Sequence, residues 1–162
     1  MSRVFIGAGS NIGDRQRFIE QALWFLRESE GIRFVKASSL YETEPEGGPP
    51  QGRFLNCVIE LETERLPQDL LYLLKSIEKK VGRIDIPIKW APREIDLDIL
   101  LYDTLIVSTD ELILPHPLLH ERIFVLEPLC EIAKDVIHPV FNRTAEQLLA
   151  AFKERNKLDE TN

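Results

Sequence analysis

Residues 54–82 read FLNCVIELETERLPQDLLYLLKSIEKKVG. The first ten alternate: Leu55, Cys57, Ile59 and Leu61 project one way and Asn56, Glu60 and Glu62 the other, the period-two pattern of a half-buried strand. Pro67 suits the first turn of a helix, where its missing N–H would be unpaired anyway. Leu70, Leu74, Ile77 and Val81 then line one helix face, and Gly82 ends it. Ahead of this pair, residues 3–8 read as a strand, and residues 14–28 as a helix with Phe18, Ile19, Ala22, Leu23, Phe25 and Leu26 on one broad face. Gly31 supplies a left-handed cap, and residues 32–41 read as a second strand. Behind it, residues 95–102 alternate again, with Ile95, Leu97, Ile99 and Leu101 opposite Asp96 and Asp98. Residues 105–107 are expected to extend the sheet. Strand, helix, strand, strand, helix, strand predicts an α+β, ferredoxin-like βαββαβ fold, its apolar sheet face covered by the two crossover helices. C-terminal helices are added to it. One is expected near residues 118–126, one after Pro128, and one opened by Thr144-Ala-Glu-Gln147, a capping-box pattern.

The chain of 162 residues is the length of one domain, and the expectation is a single domain over residues 1–162 with a loose tail at its end. Its longest unbroken apolar runs are five residues, far short of the roughly 20 a membrane helix needs, so no membrane association is expected. The two cysteines, Cys57 and Cys130, lie far apart and form no CxxC pair, which fits a reducing, cytoplasmic setting. A net charge of −7 argues against a general nucleic-acid binder. The charge is uneven, however: residues 79–93 hold Lys79, Lys80, Arg83, Lys89 and Arg93 against the single acid Asp85. Lys79 and Lys80 read as cations at a helix C-terminus. The other three fall in a proline-containing connection and invite a functional reading.

Asp96 and Asp98, two apart on a strand, project from the same face. Carboxylates held that close repel unless a cation lies between them, and such pairs are the usual protein share of a Mg²⁺ site that also takes phosphate oxygens and water. A bare DxD is most often a solvated strand face. Here Trp90 and Arg93 precede the pair and Arg83 opens the same connection, giving acids for a metal beside arginines for phosphate, as phosphoryl transfer requires. The glycine-rich stretch Gly7–Gly13 has the spacing GxGxxxG and lacks a GK[ST]; it reads as a strand-to-helix turn that allows close backbone approach. His116 and His120 have a zinc spacing, but Pro117 between them and the lack of a third soft ligand argue against it. His138 reads as structural.

These residues also carry a family resemblance. The run Trp90-Ala-Pro-Arg-Glu-Ile-Asp-Leu-Asp-Ile-Leu-Leu-Tyr102 resembles the signature of the 6-hydroxymethyl-7,8-dihydropterin pyrophosphokinases of folate biosynthesis. IGAGSNIGDR, SSLYETEP, FLNCVIELET and LPHPLLHERIFVLEPL resemble the family too, in order from Val4 to Pro139. The resemblance implies transfer of the terminal diphosphate of ATP to the pterin hydroxymethyl group with release of AMP, in a monomer that needs neither nucleic acid nor membrane. It implies that Asp96 and Asp98 hold two Mg²⁺ ions. Arg83, Arg93 and Arg122 would lie around the triphosphate, with Lys89, Trp90, Ile99 and His116 as further ATP contacts. Thr43 and Asn56 would read the pterin edge, and Phe54 and Phe124 would sandwich its ring, although those phenylalanines taken alone read as core.

The chain departs from the family pattern at Asp85 and Ile86, where some relatives carry Lys or Arg, at Pro117, where an aromatic follows the histidine, and at Glu111, which replaces an arginine. Lys89 is a candidate substitute for the missing cation. Residues 42–53 and 83–92, rich in proline and glycine, are candidate lids that exclude water. Two rival readings remain at this point: another Mg²⁺-dependent phosphoryl or nucleotidyl transferase on the same fold, and a non-catalytic ligand-binding domain.

Overall fold

A computed structural model describes residues 1–84 and 87–161, with side chains to Leu158; Asp85 and Ile86 lie outside the described residues. Its centre is an antiparallel sheet built from β1 (Ser2–Ser10), β2 (Ile32–Ala37), β3 (Tyr41–Thr43), β4 (Phe54–Thr63) and β5 (Asp96–Tyr102), in the order β2-β4-β1-β5, with β3 also paired to β4. Two helices, α1 (Arg15–Glu28) and α2 (Pro67–Val81), connect the strands. Asp14 caps α1 by accepting a hydrogen bond from the Arg17 N–H at 3.2 Å, and Gly82 ends α2 at φ 119°, a left-handed conformation that suits glycine.

The sheet is covered on both faces. On the first, Ile6 and Ala8 of β1, Ile59 of β4 and Leu97 of β5 pack against the apolar stripes of α1 and α2. Leu70, Leu74, Ile77 and Val81 are all buried there, as their spacing predicts. On the second face, Phe5, Val58, Leu100 and Leu101 meet α3 (Ile123–Ala133) and α4 (Ala145–Thr161). Thr144 and Gln147 form the expected reciprocal cap at the start of α4: the Gln147 N–H donates to Thr144 Oγ1 at 3.1 Å and the Thr144 N–H to Gln147 Oε1 at 2.9 Å. Among the described residues no helix is long and apolar enough to cross a membrane.

Several elements differ from the sequence expectation, each for a local reason. The strand expected over residues 32–41 is split after Ala37. Ser38 Oγ accepts the Val58 N–H at 2.9 Å in place of a strand carbonyl, and the Glu131 carboxylate takes the Ser39 N–H at 2.8 Å, so side chains replace the ladder and bend the chain. The alternation in β5 stops at Leu100: the register with β1 shifts between Phe5 and Ile6, leaving Leu100 as an extra residue. Leu101 therefore packs in the second core, opposite Ile99, and not on its side. Residues 105–107 do not extend the sheet. Val107–Ser108 pairs with Ile113–Leu114 as a separate hairpin, β6 and β7, and Ile137–His138 pairs with Arg143–Thr144 as β8 and β9. The break expected at Pro128 is absent: a short 3₁₀ turn, Leu119–Glu121, precedes α3, which runs straight through the proline. One backbone hydrogen bond is lost there, and the burial of Leu126 and Leu129 on either side holds the helix.

Candidate functional site

The second face of the sheet is covered only at one end. At the other, β1 presents Gly7 and Gly9, so the central strand has no side chain to fill the space. Gly9 pairs with Asn56 of β4 on one side and Asp96 of β5 on the other; Gly7 pairs with Val58 and Asp98. Directly paired residues share a face. The bare backbone of β1 is thus the floor of an open cleft, with an amide along one edge and two carboxylates along the other. A Cβ added at Gly9 would lie 2.8 Å from Asn56 Oδ1, which is the close approach the glycine-rich stretch foretold.

Among the described residues neither oxygen of Asp98 has a hydrogen bond or ion pair within the protein. Asp96 is held by two cations: Arg83 Nη1 and Arg93 Nη1 each donate to its Oδ1 at 3.2 Å. Arg83 also donates to Glu78 Oε2 at 2.8 Å, and that carboxylate oxygen accepts the Leu97 N–H at 2.8 Å, fixing the backbone between the two aspartates. Burial pushes the Glu78 carboxyl up to about 7, opposed by the Leu97 N–H and by Arg83. Asp98 is held well above the ordinary carboxylate range, first by desolvation and then by the charge of Asp96. Among the described residues no cluster of three or more His, Cys, Asp or Glu side chains could hold a metal. The pair suits an ion such as Mg²⁺, which takes one or two carboxylates and fills the rest of its octahedron with water and phosphate oxygens. The half-buried Asp98 beside Asp96, with no protein partner for its carboxylate among the described residues, is the observation that fits such a cation.

Across the floor, Asn56 is 6% exposed and its Nδ2 donates to Thr43 Oγ1 at 2.8 Å, which fixes the amide's direction. Phe54 and Phe124 both line this cleft, and Phe124 also packs against the second core. Arg93, Trp90 and Arg122 line it as well. Arg83 does not; it lies behind Asp96, between that residue and Glu78. His116 is half-buried, and burial together with Arg122 pushes its imidazole down to about 4. It is therefore neutral at pH 7; Nδ1 accepts the Leu118 N–H at 3.1 Å, which leaves Nε2–H as a donor. Ile99 packs in the first core, behind the sheet from the carboxylates. Lys89 is exposed and sits over the Trp90 ring at 4.6 Å. Glu111, far from the cleft, accepts from Gln68 Nε2 and Tyr72 Oη and ties the β6–β7 hairpin to α2. His138 is buried and stacks on Phe141, a structural placement.

Three residues that organise the surroundings of the cleft, Asn11, Gln51 and Glu46, were not singled out by the sequence. Asn11 accepts the Arg93 N–H at 2.8 Å through Oδ1 and donates from Nδ2 to Gln51 Oε1 at 2.6 Å. Gln51 Nε2 in turn donates to the Trp90 carbonyl at 2.8 Å. These bonds join the turn after β1, residues 44–53 and the connection before β5. Trp90 itself has φ 59°, a strained conformation for a bulky side chain. Its indole lies where a Cβ on Gly47 would be, 2.6 Å away. Glu46, next to that glycine, faces Arg122. The available signals were the buried asparagine of the turn and the paired glycines Gly47 and Gly48, whose partner in space no spacing rule could name.

A family model described as 7,8-dihydro-6-hydroxymethylpterin-pyrophosphokinase (HPPK) matches residues 5–134 of the chain. A protein of Aquifex aeolicus named 2-amino-4-hydroxy-6-hydroxymethyldihydropteridine pyrophosphokinase is 43% identical over 158 residues, which cover 98% of this chain and 94% of that protein. The Bacillus subtilis protein of the same name is 40% identical over 157 residues, covering 96% and 93%. A crystal structure of Plasmodium falciparum HPPK-DHPS with pteroate superposes with a TM-score of 0.77 at 16% identity over 99% of this chain. This chain spans 44% of the length of that solved one, and the likeness is one of fold.

The carboxylate pair makes a stability prediction. An acid whose folded pKa is raised supports the fold while protonated, and that support is lost as pH climbs above the ordinary carboxylate range. At neutral pH the fold without a cation must therefore keep Asp98 protonated or bear its charge beside Asp96, and either costs stability relative to the ionised unfolded chain. With a chelator present, Asp98→Asn is expected to melt above the parent chain at about pH 7.5, and the gap should close towards about pH 4. A variant that melts below the parent across that range would contradict this electrostatic account.

Proposed function

This chain belongs to the 7,8-dihydro-6-hydroxymethylpterin-pyrophosphokinase family, and from that premise we propose that it transfers the terminal diphosphate of ATP to the hydroxymethyl group of 6-hydroxymethyl-7,8-dihydropterin, releasing AMP, within folate biosynthesis. The single observation that carries the reading is the row Asn56–Gly9–Asp96 across one bare strand. An amide suited to a pterin edge and a carboxylate suited to a metal–phosphate complex stand on either side of one backbone, so two substrates laid across it meet at the floor.

Each residue then has a task. Asn56, fixed by Thr43, reads the amino-oxo edge of the pterin, and Phe54 and Phe124 hold the flat ring between their faces. Asp96 and Asp98 would hold two Mg²⁺ ions, which supply charge neutralisation for the phosphate oxygens. Arg93 and Arg122 flank the triphosphate at the cleft wall, while Arg83 holds Asp96 in place from behind. His116, neutral, donates from Nε2 to the nucleotide. Lys89 stacks on Trp90 and is available to an outer phosphate. Ile99 supports the β5 backbone beneath the nucleotide. Because the attacking hydroxyl and the β-phosphorus need only be aligned and their charge matched, positioning supplies most of the rate enhancement. Residues 42–53 and the Trp90 segment close over the cleft and keep water from the reactive phosphate.

The strand order β2-β4-β1-β5 with α1 and α2 as crossovers supports a ferredoxin-like reading of the fold, extended by α3 and α4. We take residues 1–162 as one pyrophosphokinase domain, acting as a monomer in the cytoplasm on ATP and the pterin alcohol, without nucleic acid or membrane.

Two outcomes test this reading. Asp96→Asn keeps the side-chain size and removes one charge from the cation site, so turnover should fall by about a hundredfold or more while the fold persists; near-normal turnover at limiting Mg²⁺ would remove the carboxylates from the reaction. Phe54→Ala should weaken pterin binding by about 1–3 kcal/mol, by analogy with base–aromatic stacking, and change ATP binding much less. Equal losses for both ligands, measured by calorimetry, would make Phe54 a structural side chain.

A further inference from the structure

The segment that covers the cleft carries three acids within five residues, Glu42, Glu44 and Glu46. The first two are neutralised close to the segment itself. Arg53 pairs with Glu42 at 3.2 Å and with Glu44 at 3.0 Å, and Arg15 adds a second cation to Glu42 at 3.3 Å. Glu46 alone reaches across to another layer: its Oε2 lies 2.9 Å from Nε of Arg122, the residue that opens α3. Both side chains line the cleft.

This pair is charged but incompletely satisfied. Arg122 is only 15% exposed, and its buried Nε forms no hydrogen bond, since the N–H is not aimed at the carboxylate despite the short separation. The guanidinium also stands 5.4 Å over the ring of Phe124. A largely buried cation with its Nε–H left over binds the next anion that offers better geometry, and a phosphate group can bring an oxygen into line with the N–H that Glu46 misses. Glu46 itself is held in reach from behind. Gly47, its neighbour, is packed under the Trp90 indole, and the Gly47 carbonyl accepts from Gln51 Nε2 at 3.1 Å.

We propose that Glu46 is a resident anion on Arg122: it occupies the phosphate-binding guanidinium in the nucleotide-free protein and must be displaced when the ATP phosphates arrive. The inference rests on the reading of Arg122 as a triphosphate contact. It makes Glu46 a positioning residue that acts through Arg122, setting nucleotide affinity and linking the 42–53 segment to the phosphate site. Displacement has two consequences. ATP binds less tightly than the arginine would allow, and the freed carboxylate releases the covering segment from α3 when the nucleotide is in place, so that the segment can reseat over the second substrate.

The test is calorimetric titration of the full chain with a non-hydrolysable ATP analogue plus Mg²⁺, using Glu46→Gln, Glu46→Asp, Arg122→Met and the double variant Glu46→Gln/Arg122→Met. Removing the competing charge should tighten the analogue about fivefold or more, the lower range of a typical coupling between sites. Glu46→Asp keeps the charge and should stay nearer the parent than Glu46→Gln does. Arg122→Met should weaken binding, and in that background Glu46→Gln should change Kd by less than about twofold, because the group through which it acts is gone. Unchanged or weaker binding by Glu46→Gln, in a chain where Arg122→Met does weaken it, overturns the proposal and leaves the Arg122 assignment standing. Tightening that persists without Arg122 overturns it as well, since general repulsion would then explain the effect. Normal binding by Arg122→Met defeats the phosphate assignment itself, and the proposal with it.

Discussion

A missing pair of side chains organises this molecule. β1 runs through the middle of the sheet, and on one face its residues alternate with the first core: Val4, Ile6 and Ala8 are buried against the helices. On the other face the same strand presents Phe5 and then Gly7 and Gly9. Phe5 anchors the second core under α3 and α4, while the glycines leave the rest of that face bare. A side chain at Gly9 would run into Asn56, and one at Gly7 would stand 3.4 Å from Leu100. Any larger residue on this face would fill the space in which two substrates have to meet. The cleft is therefore a consequence of strand alternation plus two omissions, and the amide on one side and the carboxylates on the other follow from antiparallel register.

The floor also sets the electrostatics. β5 holds Asp96 and Asp98 side by side at the base of the cleft, both only partly exposed, so their repulsion is less screened than on an open surface. Arg83, Arg93 and Glu78 give Asp96 and the intervening backbone fixed partners, but Asp98 has none among the described residues. A fold optimised for stability alone would not keep such a carboxylate; a site waiting for a cation would. The acids of the covering segment extend the same pattern, each close to a cation, with Glu46 placed on a guanidinium that also faces the cleft.

Much of this was legible in one dimension. The helical spacing of Leu70, Leu74, Ile77 and Val81 reports burial directly, and the carboxylate pair of a DLD strand cannot avoid sharing a face. The strand over residues 54–63 is there, but it is not half-buried: Asn56, Val58 and Glu60 are covered as well, because the second face has its own core. Local features went unread because their cause is a partner far away in sequence. Ser38 bends a strand by capturing the N–H of Val58, and Leu100 is extruded by the register with Phe5 and Ile6. Pro128 stays helical because its neighbours are buried. Asn11, Gln51 and Glu46 meet their partners only once three connections converge on the cleft. Periodicity describes an element against an average core; it holds no information about which two loops will touch.

In the proposed reaction a diphosphate crosses this floor from a nucleotide to a pterin alcohol. The direct measurement is mass analysis of the products after the full chain is incubated with ATP, Mg²⁺ and 6-hydroxymethyl-7,8-dihydropterin. Diphosphate transfer yields AMP and the pterin diphosphate in equal amounts, with neither formed when the pterin or the Mg²⁺ is left out. Stoichiometric ADP with a pterin monophosphate would contradict it, because the transferred group would then be the γ-phosphoryl alone.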